Sequence, residues 1–225
     1  MLVANKKIWF EKIFAVYNRN LLKRRFHSLN VTNFSPLKNR NKQIPLIIYV
    51  NHSSWWDGLV LFEILKTGEF DSYVMMEEKQ LAKLKLFRML GAFSVDRENY
   101  REAIKSAEYA VNLLKSGNKK ALLIFPQGEI LPNDLRPIKF FKGLSFIVEK
   151  LGECNIVPCS VRYEFLNEYK PEIFVRFGNL NTFEFVNNFE RKYFTEILEN
   201  RMTDNLDILK SDIIENKIKD FQNIL

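Results

Sequence analysis

Cysteine and histidine are nearly missing from this chain, with two of each in 225 residues. Cys154 and Cys159 form neither a disulfide framework nor a zinc pattern, and reduced thiols are the expected state. With one histidine among nearby polar groups and no cysteine cluster, no metal site is expected. Glycine and proline are scarce, at 8 and 7 residues, while phenylalanine reaches 20, which excludes a disordered chain. No apolar run attains the roughly 18 uncharged residues of a spanning helix. The opening MLVANKKIWFEKIF never holds the uncharged stretch of a signal peptide, and none is expected. A nucleophile elbow of the GxSxG type is absent too, since the nearest match, KGLSF, lacks its second glycine. Acids are missing from the first 45 residues, which carry ten lysines and arginines against Glu11 alone. That segment is therefore net +9 in a chain of net +7, and the remainder sums to −2.

What is present suits one sizeable domain, with 47% hydrophobic residues. The basic segment, residues 1–43, is expected to be an amphipathic helical arm followed by a polar connector over 28–43. Ile8, Trp9, Ile13, Val16, Tyr17 and Leu21, with Phe10 and Phe14 beside them, recur at three- and four-residue steps among lysines and arginines. This stripe either packs on the domain's own core or lies in the headgroup boundary of an anionic bilayer. Residues 44–225 alternate between strand and helix signals. Strands are expected at 44–50, 71–76, 92–95, 121–125, 155–165 and 172–180. Helices are expected at 56–68 (ending at Gly68), 77–91, 99–117 and 140–152, with two more from about residue 185 onward. The order predicts an α/β fold: a mixed, mostly parallel sheet covered by helices on both faces.

The stretch NHSSWWD, residues 51–57, follows the apolar run IPLIIYV. Ser54 and Asp57 have the spacing of a capping box, in which Asp57 merely secures a helix start. The same geometry permits chemistry. Residues five apart do not meet on a continuous helix, but across a strand-to-helix turn they can. His52 would then stand at a strand's C-terminal end, where α/β sheets place ligands. Asp57 would accept one imidazole proton and leave the other nitrogen as a base, with an ordinary pKa of about 6.5 suited to work near neutrality. No nucleophile accompanies the pair, and Cys159 reads as a buried structural thiol. A base without a nucleophile points to direct attack by a substrate hydroxyl.

Four blocks, in order, resemble those of the glycerolipid and lysophospholipid acyltransferases, which include 1-acylglycerol-3-phosphate acyltransferases. They are Asn51-His52-Ser53-Ser54-Trp55-Trp56-Asp57, GAFSVDR (91–97), IFPQGE (124–129) and IVPCSV (156–161). The resemblance implies transfer of a fatty acyl group from acyl-CoA or acyl carrier protein, as cosubstrate and with no cofactor, to a lipid hydroxyl. His52 would be the general base and Asp57 its orienting partner. Arg97 matches the position that binds an acceptor phosphate, and Gln127, Gly128 and Glu129 would border the acceptor. Asn51, Trp55, Trp56, Lys142 and Pro158 would shape the pocket or donor site. Arg136, Lys139 and Lys142 would line a polar entrance or form a solvated face. The third block departs from the usual F-P-E-G-T, with Gln127 for glutamate and Glu129 for threonine. A carboxylate beside a phosphate repels it, so a non-phosphate lipid or glycolipid stands beside lysophosphatidic acid as the expected acceptor.

The expected location is peripheral, on the cytoplasmic face of a membrane, with the anionic surface and the lipid acceptor as partners. A nucleic-acid-binding module built on the basic arm has no recognised motif behind it, and the body is slightly acidic, so no nucleic acid is expected. A non-catalytic lipid-binding protein on the same fold is a third reading, which the intact His52 and Asp57 disfavour.

Overall fold

The computed structural model describes residues 1–66, 70–117, 119–184 and 189–225. A nine-stranded mixed sheet forms its centre. In chain order, helix α1 (Ile8–Arg25) leads to strand β1 (Leu29–Thr32), the one-turn helix α2 (Ser35–Lys38) and β2 (Leu46–Val50). There follow α3 (Asp57–Leu65), β3 (Asp71–Glu77), α4 (Glu78–Lys83), β4 (Ala92–Val95), α5 (Tyr100–Lys115) and β5 (Lys120–Ile124). The chain then forms α6 (Gly143–Leu151), β6 (Cys154–Glu164), β7 (Glu172–Phe177), β8 (Asn181–Phe183), α7 (Arg191–Ile214) and β9 (Gln222–Asn223). The order across the sheet is β4-β3-β5-β2-β6-β7-β1-β9, with β8 paired to β6. From β4 to β6 every pairing is parallel, as is β7 with β1, whereas β6 runs antiparallel to β7 and β8. The α/β fold with helices on both faces is as the strand–helix alternation predicts.

Each central strand is apolar on both sides because both sheet faces are covered. On β2, Leu46, Ile48 and Val50 face α1 and α3, while Ile47 and Tyr49 face α5, α6 and α7. The clearest helix of the sequence, α5, is capped by Asn99, whose side chain accepts the amides of Arg101 and Glu102, and buries Ala107, Ala110, Val111 and Leu114.

Four expectations need correction. Residues 28–43 are not a plain connector: β1 lies within them and pairs in parallel with β7. Its short LNVT sequence is too brief to signal a strand, but Leu29 is fully buried and Val31 nearly so. The helix expected over 77–91 breaks at Leu84 into α4 and a 3₁₀ segment, Lys85–Leu90, which ends at Gly91 in the left-handed region. The C-terminal stretches are not two helices split near residue 203; α7 runs unbroken across that point, and a 3₁₀ turn and β9 finish the chain. Strand β8 was unforeseen. The helix end expected at Gly68 and the start of the C-terminal helical stretch near 185 lie outside the described residues.

Helix α1 answers the question its stripe posed. Phe14, Asn18 and Leu22 form the inner face: Leu22 is fully buried, Phe14 meets Phe62 with ring centroids 5.1 Å apart, and Asn18 Nδ2 donates to Leu59 O at 3.0 Å. Burying a leucine of this kind contributes about 2 kcal/mol. Ile8, Trp9, Ile13, Val16 and Tyr17 lie on the outer face, between 58% and 72% exposed. No described helix is long and apolar enough to cross a membrane.

Candidate active site

The candidate groups converge because four neighbouring parallel strands end on the same edge. His52 follows β2, Glu77 closes β3, Arg97 follows β4, and residues 125–128 follow β5. A sheet of this kind presents its ligand crevice at the strands' C-terminal ends.

The turn after β2 brings His52 onto Asp57, with Nδ1 and Oδ2 2.9 Å apart. The same oxygen accepts the backbone amides of Ser53 at 2.8 Å and Ser54 at 2.9 Å. The other carboxylate oxygen accepts the Tyr163 hydroxyl at 2.6 Å. Asp57 thus accepts two turn amides just ahead of α3 and also meets the imidazole. Asp57 is completely buried, a costly position for a carboxylate unless donors surround it, and four do. In a neutral imidazole, a proton on Nδ1 facing the carboxylate leaves Nε2 with a lone pair. The Tyr163 phenol is held well above its ordinary pKa by burial and then by the Asp57 charge, so it stays a donor.

The third block clamps the histidine's backbone. Gln127 Oε1 accepts the His52 amide at 2.8 Å, and the Leu131 amide donates to the His52 carbonyl at 2.8 Å. The Phe125 ring lies 4.6 Å from the imidazole. Gly128 adopts φ +75°, and a Cβ there would lie 2.5 Å from Arg97 Nη1 and 2.7 Å from the Phe141 ring. Glycine thus lets the guanidinium and the ring settle on the loop backbone.

Beside His52 opens a cavity of about 600 Å³, walled mainly by apolar side chains such as Phe14, Phe62, Met75, Phe87 and Ile104. That size is typical of a small-ligand site. His52, Trp55, Arg97, Gly128 and Lys142 border it. Asn51, Trp56, Gln127, Glu129 and Pro158 do not reach its wall among the described residues. Asn51 instead extends the β2–β6 ladder, its Oδ1 accepting Val161 N at 2.8 Å and its Nδ2 donating to Val161 O at 3.0 Å. Trp56 packs edge-on against Phe26. Pro158 abuts Gly178, whose amide donates to the Pro158 carbonyl at 2.8 Å. Of the three basic residues expected at the entrance, Arg136 pairs with Asp207 and Lys139 with Glu199, which ties that loop to α7; Lys142 alone borders the cavity.

Against these positions, the family model for Acyltransferase matches residues 30–162, from β1 into β6. The chain belongs to the Acyltransferase family. No curated protein matches it. The matched span holds His52, Asp57, Arg97 and the loop after β5, and most of the cavity wall, with Phe14 and Arg191 outside it.

Sequence reasoning missed two polar groups of this acyltransferase's site. Tyr163, on β6, reaches Asp57 only because β6 lies next to β2, and no local spacing signals that. Glu77 ends β3 as His52 follows β2, so the strand-end rule was a usable signal for it. Arg97 pairs with Glu77 at 3.4 Å, rather than with either of its sequence neighbours, Asp96 or Glu98.

Proposed function

We propose that this acyltransferase moves a fatty acyl group from a thioester, carried by coenzyme A or acyl carrier protein, to a hydroxyl of a lipid, without a covalent acyl-enzyme. The observation that carries the reading is the His52–Asp57 pair, 2.9 Å apart, at the wall of a largely apolar cavity. The acceptor hydroxyl gives its proton to His52 Nε2 as its oxygen attacks the thioester carbonyl. The tetrahedral carbon then expels the thiolate, and the imidazolium returns the proton to sulfur. Asp57 offsets the imidazolium charge while it lasts, and a positioned acid–base group such as His52 contributes about 10²–10⁴-fold. A cysteine nucleophile is disfavoured: Cys159 is wholly buried, and burial with the nearby Asp57 charge holds its thiol well above the ordinary range.

The partner of the outer face of α1 is, on this reading, an anionic bilayer. That face carries Ile8, Trp9, Ile13, Val16 and Tyr17 exposed, and Lys12, Lys23 and Arg24 are exposed alongside. Apolar aromatics beside lysines and arginines suit the headgroup boundary of anionic lipid. The inner face of the same helix supplies Phe14 to the cavity, so a peripheral attachment would set the cavity close to the bilayer that holds the lipid acceptor. The test of the reaction is His52→Ala, assayed by thiol release from a long-chain acyl thioester with a panel of lipid alcohols. The variant is expected to fold and to lose transfer; retention of full activity would reject the mechanism.

A further inference from the structure

Arg97 meets a carboxylate before any acceptor arrives. Glu77 Oε1 lies 3.4 Å from Arg97 Nη2, and the two side chains are similarly accessible, at 30% and 29%. Among the described residues, the acidic and basic side chains bordering the cavity are His52, Glu77, Arg97, Glu98, Lys142 and Arg191, with the phenols of Tyr73 and Tyr100 beside them. Arg191 is held by Glu149, and Glu98 is bound to Lys79 at 2.7 Å. The wall therefore presents Arg97 already matched by Glu77, Glu98 matched by Lys79, and Lys142. A phosphate monoester carries about −1.5 to −2 charges at neutral pH. Entering here, it would have to share Arg97 with Glu77 and sit beside that carboxylate. An uncharged headgroup with several hydroxyls faces no such conflict. The guanidinium donates to its oxygens while the Glu77 carboxylate accepts from its hydroxyls.

We propose that Glu77 fixes the acceptor class of this site as an uncharged, hydroxyl-bearing headgroup of the glycerol or sugar type, and that it disfavours phosphate monoesters. The proposal rests on the acyl-transfer reading of the cavity. Glu77 is a specificity-determining group: it acts on the headgroup through its charge and through the hydrogen-bonding state of Arg97.

The test compares two acceptors that differ only in the phosphate, 1-oleoylglycerol and 1-oleoylglycerol 3-phosphate, in the full chain and in Glu77→Gln. The full chain is expected to use the uncharged lipid with the higher kcat/KM. Glu77→Gln is expected to move the ratio of the two values toward the phosphate lipid by about tenfold or more, the scale of one unfavourable charge contact. A merely structural role for Glu77 would lower both values together and leave the ratio alone. A preference of the full chain for the phosphate lipid would overturn the proposal. So would a ratio that Glu77→Gln leaves within about threefold or moves the other way. Binding of the same two lipids to His52→Ala, with and without Glu77→Gln, reads the ratio without turnover. If no alcohol is acylated, the reaction falls while this binding ratio still decides the role of Glu77: a shift of about tenfold toward the phosphate lipid supports it, and no shift overturns it.

Discussion

Replacing Asp57 by asparagine removes a charge and almost nothing else, which makes it the sharpest probe of the pair. In the native turn one carboxylate oxygen accepts from His52, Ser53 and Ser54, and the other accepts from Tyr163. An asparagine can hold its carbonyl toward the three nitrogens and turn its amide toward Tyr163, whose hydroxyl rotates to accept. The turn therefore survives, and the loss is the difference between charged and neutral hydrogen bonds, about 1–3 kcal/mol in total. At roughly 2–4 °C per kcal/mol for a domain of this size, Tm should fall by about 2–12 °C. The rate should suffer far more. A carboxylate contacting the imidazolium contributes on the order of 4 kcal/mol at an effective dielectric of about 20, or about 10³-fold in kcat. Thiol release from a long-chain acyl thioester measures kcat, and thermal unfolding measures Tm. A variant that keeps kcat within about threefold would refute the reasoning, because it would show that the carboxylate serves the turn amides alone.

Gly128→Ala must adopt a left-handed φ, costing about 1–2 kcal/mol, and must push Arg97 and Phe141 aside. Urea unfolding should show that loss and the acceptor KM should rise; an unchanged midpoint with unchanged KM would mean the loop rearranges freely. Changing Trp9, Ile13 and Val16 together to serine should leave stability nearly untouched, since all three are exposed. Flotation with anionic vesicles should show binding reduced by about tenfold or more, and undiminished binding would move the membrane contact away from α1.

The elements with strong local signals were legible. Strand 92–95 matches β4, and the helix expected at 99–117 matches α5 to within two residues. Weak or competing signals account for the misses. Strand β1 is four residues long and is held by pairing with β7 and β9, while α7 runs on across residue 203 and packs on β6 and β7. The large apolar residues of the α1 stripe lie mostly on its exposed face; the core contact is made by Phe14, Asn18 and Leu22.

By itself the sequence determined the histidine–aspartate spacing, the glycine after Pro126, the apolar strands that must be covered on both faces, and the concentration of positive charge near residue 1. These are properties of neighbours along the chain, and backbone sterics and periodicity act at that range. Which groups share the crevice was decided only by strand order. Setting β4, β3, β5 and β2 side by side carries Glu77 to Arg97, and setting β6 against β2 carries Tyr163 to Asp57 across 106 positions. The same packing draws Asn51, Gln127 and Pro158 into the framework, because a buried polar atom bonds to whichever backbone group the sheet brings within reach.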